Sequence, residues 1–223
     1  MKKITIAIDG PAGSGKTTTA KIVAERLGYI YIDTGAMYRA VTLAWLRSGH
    51  EMLEHEVCAM LDDITIDIQP TESGQMTLLN SEDVSEAIRT PEVTGKVSPI
   101  SAMPCVREKL VEQQRRLGQG GGAVLDGRDI GTVVFPDAEL KVFLIATIGA
   151  RAARRAKEMS EKGMDFSIEE ISRQIAERDQ YDSSRSHSPL RKAIDAVEID
   201  TSELTIAQQT EKIIELARDR MVE

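Results

Sequence analysis

Residues 10–17, GPAGSGKT, have the spacing of a loop that holds phosphate groups, because they fit the pattern GxxxxGK[ST] in full. Glycines at these positions let several backbone N–H groups converge on one anion, and Lys16 adds a positive charge for the outer phosphates. The hydroxyl of Thr17 is a type of ligand that Mg²⁺ takes beside a nucleotide. The pattern therefore predicts a nucleotide site formed by Gly10, Pro11, Ala12, Gly13, Ser14, Gly15, Lys16, Thr17 and Thr18.

The sequence on either side of this loop supports that interpretation. Residues 4–9 form a short apolar run that predicts a buried strand, and residues 16–27 have apolar side chains at helical spacing up to Gly28. A strand before the loop and a helix after it are the context that the motif needs. The loop alone does not define a reaction, since GTPases, ATPases, small-molecule kinases and nucleotide-binding proteins without turnover can all contain it.

Charged residues follow a second predicted strand. Residues 123–125 are apolar, and Asp126, Gly127, Arg128 and Asp129 come next. A carboxylate at the end of such a strand organises Mg²⁺ in enzymes with this type of loop, so Asp126 joins Thr17 as a candidate metal ligand. The alternative is a turn whose charged side chains are solvated.

The charge of the chain is negative overall but unevenly distributed. Lys and Arg number 28 against 36 Asp and Glu, which gives a net charge of -8 over 223 residues. This balance argues against nucleic-acid binding, which depends on a basic face. The arginines nevertheless cluster at 107–128 and 151–191, and such clusters in an acidic protein suit a small and highly anionic ligand.

The remaining pattern predicts an α/β fold. Further strands are predicted over residues 29–33, 123–126, 140–146 and 196–200, so that a five-stranded parallel sheet is covered by helices. Thr34 is predicted to cap a helix that ends near Ser48, and Thr205 with Gln208 predicts a capping box on the last helix. Alternation in residues 64–68 and 76–79 predicts a small antiparallel hairpin within an inserted lobe of about residues 62–89.

Four segments resemble the bacterial cytidylate kinase family in residues, order and spacing: IDGPAGSGK at 8–16, DTGAMYR at 33–39, DGRDIGTVVFP at 126–136 and ERDQYDSSR at 177–185. The resemblance covers essentially the whole chain and implies one domain over residues 1–223. It implies a P-loop kinase core, an acceptor-binding lobe at about 34–105 and a lid at about 151–166. The implied reaction transfers the γ-phosphoryl group of ATP to CMP or dCMP, with Mg²⁺ accompanying ATP.

The resemblance also implies a role for individual residues. The implied phosphate contacts of the acceptor are Thr34, Tyr38, Arg39, Arg128 and Arg185, the ribose contacts are Arg178 and Asp182, and the base contacts are Ser98, Arg107 and Asp129. The implied catalytic residues are Lys16, Arg128, Arg154, Arg155 and Arg185, of which Arg154 and Arg155 belong to the lid together with Arg151.

The base contacts agree with the chemistry of cytosine. Its exocyclic amino group is a donor, and it lies beside a ring nitrogen and a carbonyl oxygen that both accept. A carboxylate at Asp129 suits the amino group, and Arg107 and Ser98 suit the acceptors. Uracil would instead place a carbonyl oxygen against the carboxylate.

Each of these side chains has a simpler explanation when it is considered alone. Tyr38 is equally suited to a half-buried core position, and Arg178 with Asp182 to a surface ion pair one helical turn apart.

The alternative functions are another P-loop small-molecule kinase, with UMP, AMP or a coenzyme precursor as acceptor, and a nucleotide-binding switch or RNA-associated module that transfers no phosphate. The acidic composition and the lack of an aromatic RNA-stacking motif argue against the last of these.

The other potential ligands show no metal or disulfide pattern. Cys58 and Cys105 are far apart in the sequence, so we expect neither a disulfide nor a zinc site, and we expect His50, His55 and His187 at the surface. The sequence contains no apolar run long enough to span a bilayer and no signal-peptide pattern. We therefore expect a cytoplasmic monomer whose partners are ATP and the acceptor nucleotide, with no nucleic acid and no membrane.

Overall fold

The computed structural model describes residues 2–49, 51–71, 74–161 and 163–222. The strands are β1 (Thr5–Asp9), β2 (Ile30–Asp33), β3 (Ile66–Thr71), β4 (Gly74–Leu79), β5 (Glu82–Asp83), β6 (Ala123–Gly127), β7 (Leu140–Ile145) and β8 (Val197–Asp200). The α-helices are α1 (Lys16–Leu27), α2 (Thr34–Ser48), α3 (Glu54–Met60), α4 (Pro91–Ala102), α5 (Pro104–Gly118), α6 (Ile148–Glu161), α7 (Ile168–Ser184) and α8 (Ile206–Val222). Short 3₁₀ turns cover Leu61–Asp63 and Ala87–Arg89, and a π-helical turn covers Ile130–Val134.

The predicted five-stranded parallel sheet is confirmed. Its strand order is β2-β6-β1-β7-β8, and every neighbouring pair is parallel. Helices α1 and α8 pack on one face, around Val23 and Ile213, while α5 and the π-helical turn pack on the other, around Val111 and Val134. The central strand β1 is buried along its whole length, which explains why apolar residues predominate in it. Since all five strands end at the same edge, the residues that follow them are brought together there.

The predicted hairpin is also confirmed, and it has a third strand. Strands β3, β4 and β5 form an antiparallel sheet of their own. The buried faces of β3 and β4 contribute Ile66, Ile68 and Leu79 to an apolar cluster that they share with helices α2, α4 and α5. This cluster is distinct from the two that cover the parallel sheet.

The helix ends follow local side-chain chemistry, with one correction. The carboxylate of Asp33, and not the hydroxyl of Thr34, caps α2 by accepting a hydrogen bond from the Ala36 N–H at 2.9 Å. Thr34 is the first helical residue, and its hydroxyl donates instead to the backbone carbonyl of Asp126 at 2.7 Å. The capping box of Thr205 and Gln208 before α8 is confirmed, with reciprocal hydrogen bonds of 3.2 and 2.9 Å.

The expectation that the cysteines are unpaired is wrong. Cys58 and Cys105 form a disulfide with their Cα atoms 5.8 Å apart, although 47 positions separate them in the sequence. Cys58 lies on α3, a helix too short to be predicted from its pattern, and α3 packs against the start of α5, where Cys105 lies. The bond ties α3 to α5 and stabilises the fold by restricting the unfolded chain.

Two further observations concern the surface of the described residues. His55 and His187 are exposed as expected, while His50 lies outside the residues that the structure describes. Of the helices in the described ranges, none combines the length and apolar character that crossing a membrane requires.

Candidate active site

The phosphate loop lies between the carboxyl end of β1 and the start of α1. Gly10 has a φ of 147°, and a Cβ atom there would lie 2.1 Å from the carbonyl oxygen of Leu144 on β7. Gly15 has a φ of 91°, and its Cβ would lie 2.8 Å from the Oε1 atom of Gln209 on α8. Only glycine fits these two positions, because the backbone is left-handed or strained there and the neighbours leave no space. Among the described residues no side chain caps α1, so its first N–H groups remain available to an anion.

Lys16 is buried inside this loop. Its ammonium group donates to the carbonyl oxygen of Pro11 at 2.6 Å and to the hydroxyl of Ser14 at 3.3 Å. Burial, and secondly the positive charge of Arg128, hold the pKa of Lys16 well below its usual range. The bound phosphates of a nucleotide would supply the negative charge that this buried cation lacks.

Thr17 and Asp126 meet at the mouth of the loop. The Thr17 hydroxyl donates to Asp126 Oδ2 at 2.9 Å, and the Tyr31 hydroxyl donates to Oδ1 at 2.7 Å. Burial, and then the neighbouring carboxylate of Asp33, raise the pKa of Asp126. Hydroxyl and carboxylate oxygens are the ligands that Mg²⁺ prefers, and a divalent ion would compensate this buried charge. The residues therefore fit the metal that the sequence predicts.

The buried carboxylate at the start of α2 pairs with two arginines. Asp33 pairs with Arg39 at 2.9 Å and with Arg89 at 3.4 Å. Burial alone would raise the pKa of Asp33, but the two guanidinium charges outweigh it and lower the pKa. Arg89 comes from the 3₁₀ turn of the inserted lobe and was not predicted as a site residue, because its distance from α2 in the sequence gives no signal.

The end of helix α7 and the residue after it bring Arg178, Asp182 and Arg185 to the same edge. Arg128 donates from Nε to Asp182 at 2.9 Å, and Arg185 lies 3.9 Å from the other oxygen of this carboxylate. Burial of Asp182 would raise its pKa, but Arg128, Arg178 and Arg185 together lower it. The pKa of Arg178 is lowered to about 10, first by burial and then by the charge of Arg128. The cations at this point outnumber the carboxylates that balance them.

A second buried ion pair joins α5 to the segment after β6. Arg107 on α5 and Asp129 after β6 pair with each other, with side chains that are each 5% exposed. Arg107 also donates to the carbonyl oxygen of Ser101 at 3.0 Å, and its guanidinium lies 5.3 Å from the centroid of the Tyr38 ring. Ser98 lies one turn before Ser101 on α4 and is half-buried, so the contacts of Arg107 bring Asp129, Tyr38 and this turn of α4 together.

Several nitrogens of the arginines described above are buried without a hydrogen-bond partner in the described part of the chain. They include Nε of Arg39, Arg107 and Arg178 and Nη2 of Arg185. An unsatisfied buried donor costs free energy, and a charged one costs more. These nitrogens all belong to residues that the sequence predicts for the acceptor, which favours an anionic ligand with several oxygens as the missing partner.

The predicted lid arginines differ in their surroundings. Arg151 is buried at the start of α6, where it donates to the Ala12 carbonyl at 3.2 Å and pairs with Asp179 on α7 at 2.6 Å. Arg154 contacts the Gly13 carbonyl at 3.4 Å and the Thr201 hydroxyl at 3.3 Å. Arg155 lies on the outer face of α6, paired with Glu158. The structure thus brings Arg151 and Arg154 to the back of the phosphate loop and leaves Arg155 in solvent.

Two buried residues of this region were missed by the sequence analysis. Tyr31 holds Asp126, and Asp9 accepts hydrogen bonds from the Ile130 and Gly131 N–H groups at 2.8 and 2.7 Å. Burial raises the pKa of Asp9 to about 7. A signal for Asp9 was present, since an acidic residue ends an otherwise apolar strand directly before the phosphate loop.

Comparison with known proteins gives relatives along nearly the whole length of the chain. The family model described as cytidylate kinase matches residues 6–219. A cytidylate kinase of Anoxybacillus flavithermus (strain DSM 21510 / WK1) is 49% identical over 221 residues, which are 99% of this chain and 98% of that protein. One of Bacillus cereus (strain ATCC 10987 / NRS 248) is 48% identical over 216 residues, 96% of either chain.

A solved structure supports the fold alone. The crystal structure of an uncharacterized protein from Eubacterium ventriosum ATCC 27560 is similar with a TM-score of 0.51 at 15% identity, over 98% of this chain and 99% of that one. The assignment to a family rests on the sequence match, which includes the phosphate loop, the arginines predicted for the acceptor and helix α7 in a single stretch. Since this match is nearly complete and about half of the residues are identical in full-length relatives, the chain belongs to the cytidylate kinase family.

Proposed function

We propose that this protein transfers the γ-phosphoryl group of ATP to CMP or dCMP, giving ADP and CDP or dCDP. The observation that carries the proposal is the common edge at which two sets of cations meet. Lys16 of the phosphate loop is close enough to Arg128 and Arg178 of the acceptor side for their charges to lower its pKa. A triphosphate on one side and a monophosphate on the other would bring their phosphates together among these cations.

The reaction needs positioning and charge stabilisation more than proton transfer. The acceptor phosphate is its own nucleophile, because it is largely ionised near neutral pH, so no general base is required. Lys16 and the arginines Arg128, Arg178 and Arg185 would offset the charge of the phosphoryl group as it moves between the two oxygens. Thr17 and Asp126 would hold Mg²⁺, which when bound neutralises part of the charge on the ATP phosphates.

The pocket of Arg107 and Asp129 would select the base. The Asp129 carboxylate would accept from the amino group of cytosine, while Arg107 and Ser98 would donate to its ring nitrogen and carbonyl oxygen. The ion pair with Arg107 holds the carboxylate in one orientation before the nucleotide arrives. Pre-organisation of this kind lowers the ordering that binding requires.

Measuring ADP release from ATP with a panel of acceptors tests this function. We expect turnover with CMP and dCMP, a kcat/KM at least about tenfold lower with UMP, and no turnover with AMP. The rate without an acceptor is the control for hydrolysis. Equal turnover with UMP or AMP would show that the enzyme does not select cytosine. ADP release that no acceptor increases would favour a nucleotide-binding protein without phosphoryl transfer.

We also propose that the core carries two moving parts, an acceptor-binding lobe at about residues 34–105 and a lid at about residues 151–166. The lid proposal is supported by a small apolar cluster between α6 and α7, which contains Ala152, Ala156, Ile171 and Ile175 and is separate from the sheet core. Met164 and Phe166, at the turn between these helices, are exposed. Closure of the lid would exclude water that could otherwise hydrolyse ATP.

Hydrogen exchange tests the lid. Binding of a bisubstrate analogue, in which adenosine and cytidine are joined through phosphates, is expected to slow amide exchange in residues 151–161 and 163–166 by about tenfold, because a closed lid opens less often. Residues 213–221 of α8 are the internal control and are expected to change little. Unaltered exchange across the lid would contradict this proposal.

A further inference from the structure

The carboxylate of Asp9 is in an unusual position for a charged group. It ends the central strand β1, is 5% exposed and directly precedes Gly10 of the phosphate loop. Both of its oxygens accept backbone hydrogen bonds, from Ile130 at 2.8 Å and from Gly131 at 2.7 Å. One donor on each oxygen suits an ionised carboxylate, which accepts through both of its oxygens.

These two N–H groups belong to the residues that immediately follow Asp129. The pairing of β1 with β6 ends at Asp9 and Gly127, so the ladder of the sheet no longer holds the chain at Asp129. Asp129 has φ and ψ of -146° and 24°, between the strand and the π-helical turn. Asp9 therefore tethers the backbone through these two hydrogen bonds, at the point where the strand ends and the Asp129 side chain turns toward Arg107.

The tether is costly in terms of stability. Burial raises the pKa of Asp9 to about 7, and the nearby charge of Asp129 raises it as well, while the two N–H groups and Lys16 act in the opposite direction. A raised pKa means that the fold disfavours the ionised form that the two hydrogen bonds use. An apolar side chain would avoid this cost, but it would leave the buried Ile130 and Gly131 N–H groups without an acceptor, so the carboxylate serves to hold these two groups.

We propose that Asp9 is a positioning residue for base selection, whose carboxylate holds the Ile130 and Gly131 N–H groups so that Asp129 faces the base of the acceptor. The inference rests on the proposed function, because it requires an acceptor nucleotide whose base Asp129 recognises by a hydrogen bond. Asp9 acts through the backbone, because both of its oxygens accept from backbone N–H groups. It also connects the phosphate loop and the base pocket, since it lies between Gly10 and the Asp129 segment.

Asp9→Asn is the variant that tests the tether. Asparagine has the same shape, but it offers one acceptor oxygen and turns an NH₂ group against the second backbone N–H. We expect kcat/KM for CMP to fall about tenfold and that for UMP about twofold, so the ratio of CMP to UMP falls about fivefold. The KM for ATP is expected to change less than about twofold, whereas a general disturbance of the fold would affect both acceptors and ATP alike.

Glu139→Gln is the matched control. Glu139 also accepts a backbone hydrogen bond from β1, from the Thr5 N–H at 2.9 Å, but at the opposite end of the strand. This variant is expected to keep the wild-type ratio. If it lowers the ratio as much as Asp9→Asn does, the effect belongs to the strand and not to the base pocket, and the inference is wrong.

A double variant separates positioning from a direct effect. If Asp9 acts only through Asp129, adding Asp9→Asn to Asp129→Ala should leave the ratio at the value of Asp129→Ala alone. A further fall in the double variant would contradict the inference. Should Asp9→Asn not fold, Gly131→Ala disturbs the same tether from the other side, since its Cβ would lie 3.4 Å from Asp9 Oδ2 and 3.2 Å from Lys141 Cδ, and it should also lower the ratio.

Two outcomes distinguish this inference from the proposed function. A wild-type protein that shows no preference for CMP over UMP would remove the proposed function and the inference together. A wild-type preference that persists unchanged in a folded Asp9→Asn protein would remove only the inference.

Discussion

Replacement of Lys16 by methionine is expected to lower kcat for phosphoryl transfer to CMP by about a thousandfold. Lys16 is the cation of the phosphate loop, and its ammonium group is held 2.6 Å from the Pro11 carbonyl inside the turn that wraps the phosphates. No other lysine of the described residues lies in this loop, so a neutral side chain leaves the transferring group without that charge.

The fold of Lys16→Met should survive. Burial holds the pKa of Lys16 below its usual range, which means that the folded state disfavours the charged form relative to the unfolded chain. An apolar side chain of similar length removes that cost, so the midpoint of thermal unfolding should be no lower than in the wild type.

Steady-state kinetics and a thermal melt of one preparation check both parts. Lys192→Met is the matched control, since Lys192 pairs with Glu198 at the surface and is half-exposed, and its kcat should stay at the wild-type value. A correctly folded Lys16→Met protein with near-normal kcat would overturn the assignment of the phosphate loop.

The sequence predicts the parallel sheet well because its strands are buried on both faces. Such strands appear in the sequence as short, mostly apolar segments, and β1 and β6 are buried at all of their positions. The phosphate loop is predicted equally well, because its glycine positions depend on local backbone geometry and its chemistry is contained in eight consecutive residues.

Features that depend on contacts between distant segments could not be predicted. Helix α3 has seven residues and α4 contains Pro99, so neither has a clear helical pattern. The disulfide of Cys58 and Cys105 depends on how α3 packs on α5.

The same limit applies to the candidate site. The types and approximate roles of the acceptor residues came from a family resemblance, but their pairing did not. Arg151, which the resemblance places in the lid, is buried against the Ala12 carbonyl and Asp179, and neither partner was predicted. The pairing of Arg89 with Asp33 and the hydrogen bonds from Ile130 and Gly131 to Asp9 join segments that only the folded chain brings together.

Removal of the Asp129 carboxylate is expected to lower kcat/KM for CMP far more than for UMP. In the proposed site, cytosine would donate from its amino group to this carboxylate, whereas uracil would present a carbonyl oxygen that the carboxylate repels. A charge-assisted hydrogen bond in a dry site contributes about 1.5–3 kcal/mol. The ratio of kcat/KM for CMP to kcat/KM for UMP should therefore fall by about ten- to a hundredfold in Asp129→Ala.

The competing role for Asp129 is to organise Mg²⁺ or to orient a phosphate-binding arginine. The contacts argue against it, because Thr17 pairs with Asp126 and Arg128 pairs with Asp182, while Asp129 pairs with Arg107. Metal and phosphate are common to both substrates, so that role would lower kcat/KM for CMP and UMP equally.

Asp129→Asn sharpens the comparison. Removing the carboxylate leaves Arg107 as a buried cation without its partner, so Asp129→Ala should also be less stable than the wild type. Asparagine keeps one oxygen for Arg107 and can turn its NH₂ group toward the carbonyl oxygen of uracil, which should bring the CMP to UMP ratio below that of Asp129→Ala. Measurement of both kcat/KM values for the wild type and the two variants decides the matter. If both variants keep the wild-type ratio, base recognition lies elsewhere, and Arg107 and Ser98 become the residues to test.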